Sequence, residues 1–275
     1  MKVSIVIVTY NSEATIYNCL SSVFSSSLKS EVIVVDNNST DNTVEVINKF
    51  PNVKLIQNKK NFGFGKANNL GVKASNGNYI FFLNPDCVVE KDSVEKLAGF
   101  LEKNSETAVV GPKLINQDES IQREISPFPT VLSEILVLLR LHRIGLFKKS
   151  VYSDYDYGKT QSTEHLMGAA LMVKRNVFEK LDGFDEKFFL WFEETDLLKR
   201  VSENGQKIVY YPESIVKHLV GQSTRQIDPL TKQTIWNKSL IYYFQKHKGW
   251  FKLLLLIPFI ILSYPAALVS YLIKN

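Results

Sequence analysis

Two acidic clusters stand far apart in this chain. Asn84-Pro85-Asp86 closes an apolar run ending at Leu83, and Trp191-Phe192-Glu193-Glu194-Thr195-Asp196 lies far downstream. A carboxylate at a strand end can hold a divalent cation through its oxygens, and such a cation can neutralise charge developing on a departing diphosphate. Neighbouring carboxylates raise one another's pKa, which brings one of them toward the working range of a general base. Both clusters also have plainer uses, as an Asn-Pro-Asp turn and as acidic residues at a helix N-terminus. His218 follows the last clear strand. It either completes coordination begun at Asp86 or is a structural histidine. The other histidines, His142, His165 and His247, show no zinc-type spacing.

These residues need elements to position them. Val3–Val8 and Glu31–Asp36 are β-branched runs of strand length, and they end in Thr9-Tyr10-Asn11 and in Asp36. Ligands of open α/β sheets bind at such strand ends. Asp36 can accept a hydrogen bond from a base or ribose there, or it can cap the helix that follows. Asn61 to Gly71 is a glycine-containing loop that matches neither a Walker loop nor the dinucleotide fingerprint. Further strands are predicted at 53–57, 79–83, 109–115, 168–173 and 207–211. Helices are predicted at 12–24, through Val44 and Ile47, and at 66–75, 93–104, 176–181 and 195–204. This alternation predicts an α/β fold with a mostly parallel sheet covered on both faces.

The 275 residues suit one large α/β domain, residues 1–225, followed by a helical segment, 226–275. A net charge of +5 is too small to argue for nucleic acid. Two cysteines, Cys19 and Cys87, are too few for a disulfide framework and point to a reducing compartment. The apolar N-terminal run is short and β-branched, a buried strand rather than a signal peptide. Leu253–Ile273 carries no charge over 21 residues, and a spanning helix needs roughly 20. Pro258 and Pro265 interrupt it, and Trp250, Tyr264 and Tyr271 suit an interface. The expectation is membrane association, as a kinked span or as two short in-plane helices. A core hairpin is the plainer reading. Lys246, Lys248 and Lys252 before the run, and Lys148 and Lys149 after another apolar stretch, suit an anionic surface and a cytoplasmic-face location. That other stretch, Val131–Phe147, reads as a helix on the membrane or one covering the active site.

Taken together, the opening Val-Ser-Ile-Val-Ile-Val-Thr-Tyr-Asn, the Val-Val-Asp-Asn-Asn-Ser-Thr-Asp block and the ordered acidic motifs resemble the inverting family 2 glycosyltransferases of the GT-A fold. The resemblance covers roughly residues 1 to 225 and looks closest to bacterial rhamnosyltransferases. It implies that Thr9, Tyr10, Asn11, Asp36, Asn68 and Asn84 bind the nucleotide part of a nucleotide-sugar donor. Asp86 would hold Mg²⁺ or Mn²⁺ with His218 as a further ligand, and Asn84 stands where the first Asp of an Asp-x-Asp motif is usual. Gly168 and Ala169 would line the donor sugar, with Glu193 and Asp196 nearby in the donor/acceptor pocket. Glu194 matches the base position, where Asp is usual, and the choice among Glu193, Glu194 and Asp196 stays open. The expected acceptor is a lipid-linked saccharide at the membrane surface in polysaccharide synthesis, and the expected donor dTDP-L-rhamnose. The alternatives are a UDP-hexose or UDP-N-acetylhexosamine donor, or a non-catalytic nucleotide-sugar-binding subunit. Oligomeric state, including a homo-oligomer, stays open.

Overall fold

The computed structural model describes residues 1–143, 155–219 and 227–274. The end of the predicted apolar stretch Val131–Phe147, with Lys148 and Lys149, lies outside the described residues.

Four strands form the nucleus: β1 (Val3–Thr9), β2 (Glu31–Asp36), β3 (Val53–Gln57) and β4 (Tyr79–Leu83). They lie side by side in the order β3-β2-β1-β4, all parallel. β1 and β4 are buried at every position, as expected of strands covered on both faces. The cover comes from α1 (Glu13–Phe24), α2 (Thr43–Ile47), α3 (Phe64–Lys73) and α4 (Ser93–Lys103). Gly71 of α3 fits directly over the sheet, since a Cβ there would stand 2.4 Å from Val6 Cγ1.

Beyond β4 the sheet is mixed. β5 (Cys87–Val89), β6 (Thr107–Ile115), β10 (Ala170–Lys174) and β11 (Lys207–His218) complete the order β4-β10-β6-β11-β5. β10 runs antiparallel to both its neighbours, whereas β6 and β11 are parallel. The expectation of a mostly parallel sheet therefore holds for the N-terminal half only. β11 is also longer than expected. It continues past a register shift between Tyr211 and Ile215, so His218 lies on the strand rather than after it. β7 (Ile125–Ser126) and β9 (His165–Leu166) form a small separate ribbon, and β8 (Gln161–Thr163) pairs with β11.

The last helices are α5 (Val131–Leu138), α6 (Arg175–Lys180), α7 (Glu193–Glu203), α8 (Pro229–His247) and α9 (Trp250–Lys274). Asp228 caps α8, its carboxylate accepting the Leu230 and Thr231 amides at 3.0 Å. Gly249 (φ 82°) ends the helix by donating its amide to the Phe244 carbonyl at 2.9 Å, a left-handed stop that glycine makes without strain. The chain then folds back. Asn237 bonds Ser263 at 3.1 Å, and Leu253, Leu256 and Ile260 join a core with Leu138, Phe192 and Phe244. Among the described residues one long apolar helix is present rather than several, and it is continuous through Pro258 and Pro265. Its inner face realises the core hairpin, while Phe251, Leu254, Ile261 and Leu262 are exposed on the outer face.

Candidate active site

A cleft opens at the carboxyl ends of β1 and β4. Val8, Tyr10, Asn61, Gly63, Phe64, Asn84, Asp86, Met167, Gly168, Ala169, Trp191, Glu193, Glu194 and His218 line it. The sheet sets its position, and local turns set its walls. Asn37, just past β2, is the hub of one wall. Its side-chain amide donates to Asn61 Oδ1 and to the Gly63 carbonyl, both at 3.1 Å, and its Oδ1 accepts from Asn58 at 2.9 Å. Gly63 (φ 85°) must be glycine, because a Cβ would meet the Phe189 carbonyl oxygen at 2.4 Å. That carbonyl accepts the Phe64 amide at 2.8 Å, which ties the glycine loop to the segment carrying the acidic cluster.

On the cleft floor, Asp86 Oδ1 lies 3.5 Å from His218 Nε2, and both side chains are buried. The surrounding bonds fix the protons. Gln122 Nε2 donates to the His218 carbonyl at 2.7 Å and to Asn116 Oδ1 at 2.9 Å, so Gln122 Oε1 is the acceptor that faces His218 Nδ1 at 2.9 Å. Nδ1 therefore donates, and in the neutral ring Nε2 presents a lone pair to the Asp86 carboxylate. A carboxylate and an imidazole lone pair turned to one place suit a cation, and a hydrogen bond like that of Gln122 is the kind that orients a histidine ligand. Asn84 Oδ1, also buried in the cleft, has no hydrogen-bond partner. Cys87 lies within 4.8 Å of Asp86 and His218, but burial holds its thiol protonated and its Sγ donates to the Ala169 carbonyl. The residues thus fit an oxygen- and imidazole-bound divalent ion at Asp86 and His218.

Across the cleft, Trp191 (φ 65°) and Phe192 (φ 69°) are consecutive left-handed non-glycine residues. Such backbone costs about 1–3 kcal/mol per residue and persists only where its surroundings over-determine it. Here the aromatic rings do so. Phe192 packs at 5.0 Å from Trp236 and 5.4 Å from Tyr243, and Trp191 at 5.7 Å from Trp236. The double turn starts α7 so that Glu193 and Glu194, in its first turn, both face the cleft. Each has one buried carboxylate oxygen without a partner. Burial raises the pKa of both. For Glu193 the neighbouring Glu194 charge adds to the rise, whereas the amides of Glu194, Thr195 and Gly168 oppose it at Glu194. Glu194 is thus the more readily ionised of the two. Gly168 permits its position, since a Cβ there would stand 3.2 to 3.3 Å from the Glu194 side chain.

Several sequence-predicted site residues do not line this cleft. Thr9 is buried and donates to Asp36 Oδ1 at 2.8 Å, while Asp36 Oδ2 accepts the Ser39 amide at 2.9 Å. Asp36 does not cap the helix that follows, whose N-cap position is Asn42; it holds the turn after β2. Asn11 (φ 48°) sits in the same turn, its Oδ1 accepting the Thr40 amide at 2.8 Å. Asn68 is buried against its own helix and bonds the Phe64 carbonyl at 3.0 Å. Asp196 points away from the cleft and is fully buried. It bonds Arg200 Nε at 2.8 Å and Lys246 and His247 at 2.7 Å each, which joins α7 to α8. Tyr10, Asn84, Asp86, Gly168, Ala169, Glu193, Glu194 and His218 are brought together. Asn37, Gln122 and Trp236 were not singled out from the sequence. An Asn directly after a strand-terminal Asp was the only available signal, and for Gln122 and Trp236 there was none.

A strand-end cleft with a carboxylate–imidazole pair, the buried Glu193 and the half-buried Glu194, on a mixed Rossmann-like sheet, defines a glycosyltransferase of the GT-A fold. The family described as Glycosyl transferase family 2 matches residues 4–182, and the chain belongs to that family. A second profile, described as the N-terminal domain of galactosyltransferase, matches residues 150–221. The chain is 27% identical, over 80% of its length and 76% of the relative's, to N-acetylglucosaminyl-diphospho-decaprenol L-rhamnosyltransferase of Mycobacterium tuberculosis. It is 25% identical, over 90% of its length and 94% of the relative's, to rhamnosyltransferase WbbL of Escherichia coli. Staphylococcus aureus TarS, a poly(ribitol-phosphate) β-N-acetylglucosaminyltransferase, is 31% identical over 64% of this chain and 33% of its own. The solved structure of TarS 1-349 in complex with UDP shares the fold, with a TM-score of 0.60 and 19% identity, covering 94% of this chain and 71% of that one.

Proposed function

We propose that the enzyme transfers a hexosyl group, with inversion, from a pyrimidine nucleoside diphosphate sugar to a hydroxyl of a saccharide acceptor. The observation that carries this is the pairing, in one cleft, of the Asp86–His218 couple with Glu193 and Glu194, each of which has one buried oxygen without a partner among the described residues. In this reading Glu194 takes the proton of the acceptor hydroxyl. The freed oxygen forms its bond to the anomeric carbon as the bond to the diphosphate breaks on the opposite face, and the nucleoside diphosphate leaves. Glu193 stays protonated beside it and donates to the sugar. A Mg²⁺ or Mn²⁺ ion held by Asp86 and His218 supplies charge neutralisation for the departing diphosphate. Gly168 and Ala169 face the sugar, and Tyr10 and Asn84 face the nucleotide. Thr9, Asn11 and Asp36 act behind Tyr10 by holding its turn.

A UDP-linked hexose or N-acetylhexosamine is the donor class favoured here. The N-acetylglucosaminyltransferase activity of TarS and the UDP bound in the matched fold support it. A dTDP-L-rhamnose donor is the second reading, supported by the rhamnosyltransferases matched over most of their length. We further place the enzyme at the cytoplasmic face of the membrane, held by α9 of the segment 226–275 and acting on a lipid-linked saccharide.

The test is nucleoside diphosphate release across a panel of UDP- and dTDP-sugars with Mg²⁺ or Mn²⁺. Release from one donor that is lost on chelation and in Glu194→Gln supports the reading. Undiminished release in Glu194→Gln or in Asp86→Ala sinks the role of that residue. Nucleotide binding without release from any donor favours the non-catalytic alternative.

A further inference from the structure

A second cavity adjoins the cleft and meets it at Met167, Trp191 and Glu194. Its far wall is α5, and its lining includes Glu124, Glu134, Thr195 and Trp236. Three features set it apart from an ordinary packing gap. Glu124, Glu134 and Glu194 each leave a buried carboxylate oxygen without a partner, and the buried Trp236 Nε1 donor also has none. Unpaired buried polar atoms cost stability, and four on one small cavity and its rim are unusual unless something else completes them. Glu134 is 6% exposed, and burial alone raises its pKa to about 8, so at neutral pH it is a carboxylic acid able to donate. Trp191 and Trp236 add aromatic faces beside these groups. Convergent donors and acceptors beside indole rings match the alternating hydroxyls and C–H faces of a sugar.

We propose that this second cavity is the acceptor subsite and takes the saccharide unit of the acceptor, with Glu124, Glu134 and the Trp236 indole N–H binding its hydroxyls. The inference rests on the transferase reading above and extends it to the other substrate. Its position fits, because Glu194, the proposed base, stands at the junction of the two cavities. α5 also joins this cavity to the apolar helix. One face of α5 carries Glu134 into the cavity wall, while Leu138 and Ile135 pack with Leu253, Leu256 and Ile260 of α9. A sugar carried on a lipid would meet the protein along this same layer.

The test uses the full chain with UDP bound and a soluble probe, N-acetylglucosaminyl diphosphate on a short prenyl chain, followed by quenching of tryptophan fluorescence. The variants are Glu134→Gln and Glu124→Gln, which preserve shape, and Trp236→Phe, which removes the indole N–H and keeps an aromatic ring. Saturable binding by the unaltered protein, weakened about tenfold or more in Glu134→Gln and Trp236→Phe with UDP affinity unchanged, supports the subsite. Equal probe binding by all variants overturns it. So does a parallel fall in UDP affinity, which marks a merely structural role. Failure of the unaltered protein to bind the probe while it binds UDP overturns the acceptor assignment alone. Failure to bind UDP or any donor strikes the transferase reading itself, and the subsite falls with it.

Discussion

At the scale of single residues, the two glutamates of the Trp-Phe-Glu-Glu turn divide their work by their surroundings. Glu193 is buried beside a like charge, and Glu194 is relieved by three amides. Loss of a positioned general base costs about 10²–10⁴-fold in turnover, so Glu194→Gln is expected to lose that much while keeping its thermal stability. Gly168→Ala is a subtler probe. The added methyl meets the Glu194 side chain at 3.2 to 3.3 Å, so kcat is expected to fall about tenfold or more with donor binding retained, as read by steady-state kinetics beside a nucleotide titration. Glu134 gives a pH signature. Its folded pKa lies near 8, above the unfolded value of about 4.3, so the folded state holds the proton more tightly. Its favourable term is fully present below the unfolded value and is lost as pH rises toward 8. Urea unfolding followed from pH 5 to 8 is expected to show a decline that is smaller in Glu134→Gln, the remainder coming from Glu193 and Glu194.

At the scale of elements, the strained start of α7 is held by α8, which lies much later in the chain. Asp196 is the fastening point. Burial pushes its pKa up, but His247, Arg200 and Lys246 outweigh that and hold it below the ordinary range. The lowered folded value means that its contribution is present at neutral pH, above the unfolded value of about 3.9, and is lost as pH falls through the folded one. Asp196→Asn is expected to destabilise the protein by about 2 kcal/mol or more at pH 7, because it leaves partly buried cations with a neutral partner. The difference from the unaltered protein should shrink below about pH 4. Equal stability of the two proteins at pH 7 would mean that aromatic packing alone holds the turn. A loosened turn also misplaces Glu194, so activity in this variant should fall although Asp196 does not line the cleft.

At the scale of the whole molecule, the apolar helix α9 is bonded lengthwise to the catalytic body through α8 and α5. α8 runs antiparallel beside it, carrying exposed Lys238 and the ion pairs of Lys246 to Asp185 and Asp196. If α9 crossed a bilayer, these charges would enter hydrocarbon, where each costs several kcal/mol. An in-plane placement avoids this, with Trp250, Phe251, Leu254, Ile261 and Leu262 facing lipid. Flotation with vesicles containing phosphatidylglycerol is expected to carry the protein upward, and Leu254→Glu with Ile261→Glu to abolish flotation without lowering thermal stability. Flotation unchanged by the pair would remove α9 from the lipid contact. Simple deletion of α9 is a poor test, because Leu253 and Leu256 belong to the core.

The sequence by itself determined the parts whose physics is local. β-branched runs specified β1 and β2, an aromatic-rich apolar run specified β4, and the turn residues after them put Tyr10, Asn84 and Asp86 at strand ends. The acidic cluster marked the start of α7, and its order relative to Asp86 supported the family assignment. The tertiary structure decided matters that depend on partners distant in the chain. Periodicity cannot tell an antiparallel insertion from a parallel strand, so the place of β10 between β4 and β6 was not legible. Asp36 and Asp196 carry the same carboxylate as Asp86 and Glu194. Only the tertiary contacts show that Asp36 is bonded by Thr9 and Ser39 and Asp196 by Arg200 and His247, whereas Asp86 and Glu194 line the cleft. A uniformly apolar helix gives no sign of which face is buried, so only α5 and α8 settle that α9 packs on the body along its inner face. The proton on His218 Nδ1 depends on a glutamine 96 residues away in sequence, a relation that no local pattern encodes.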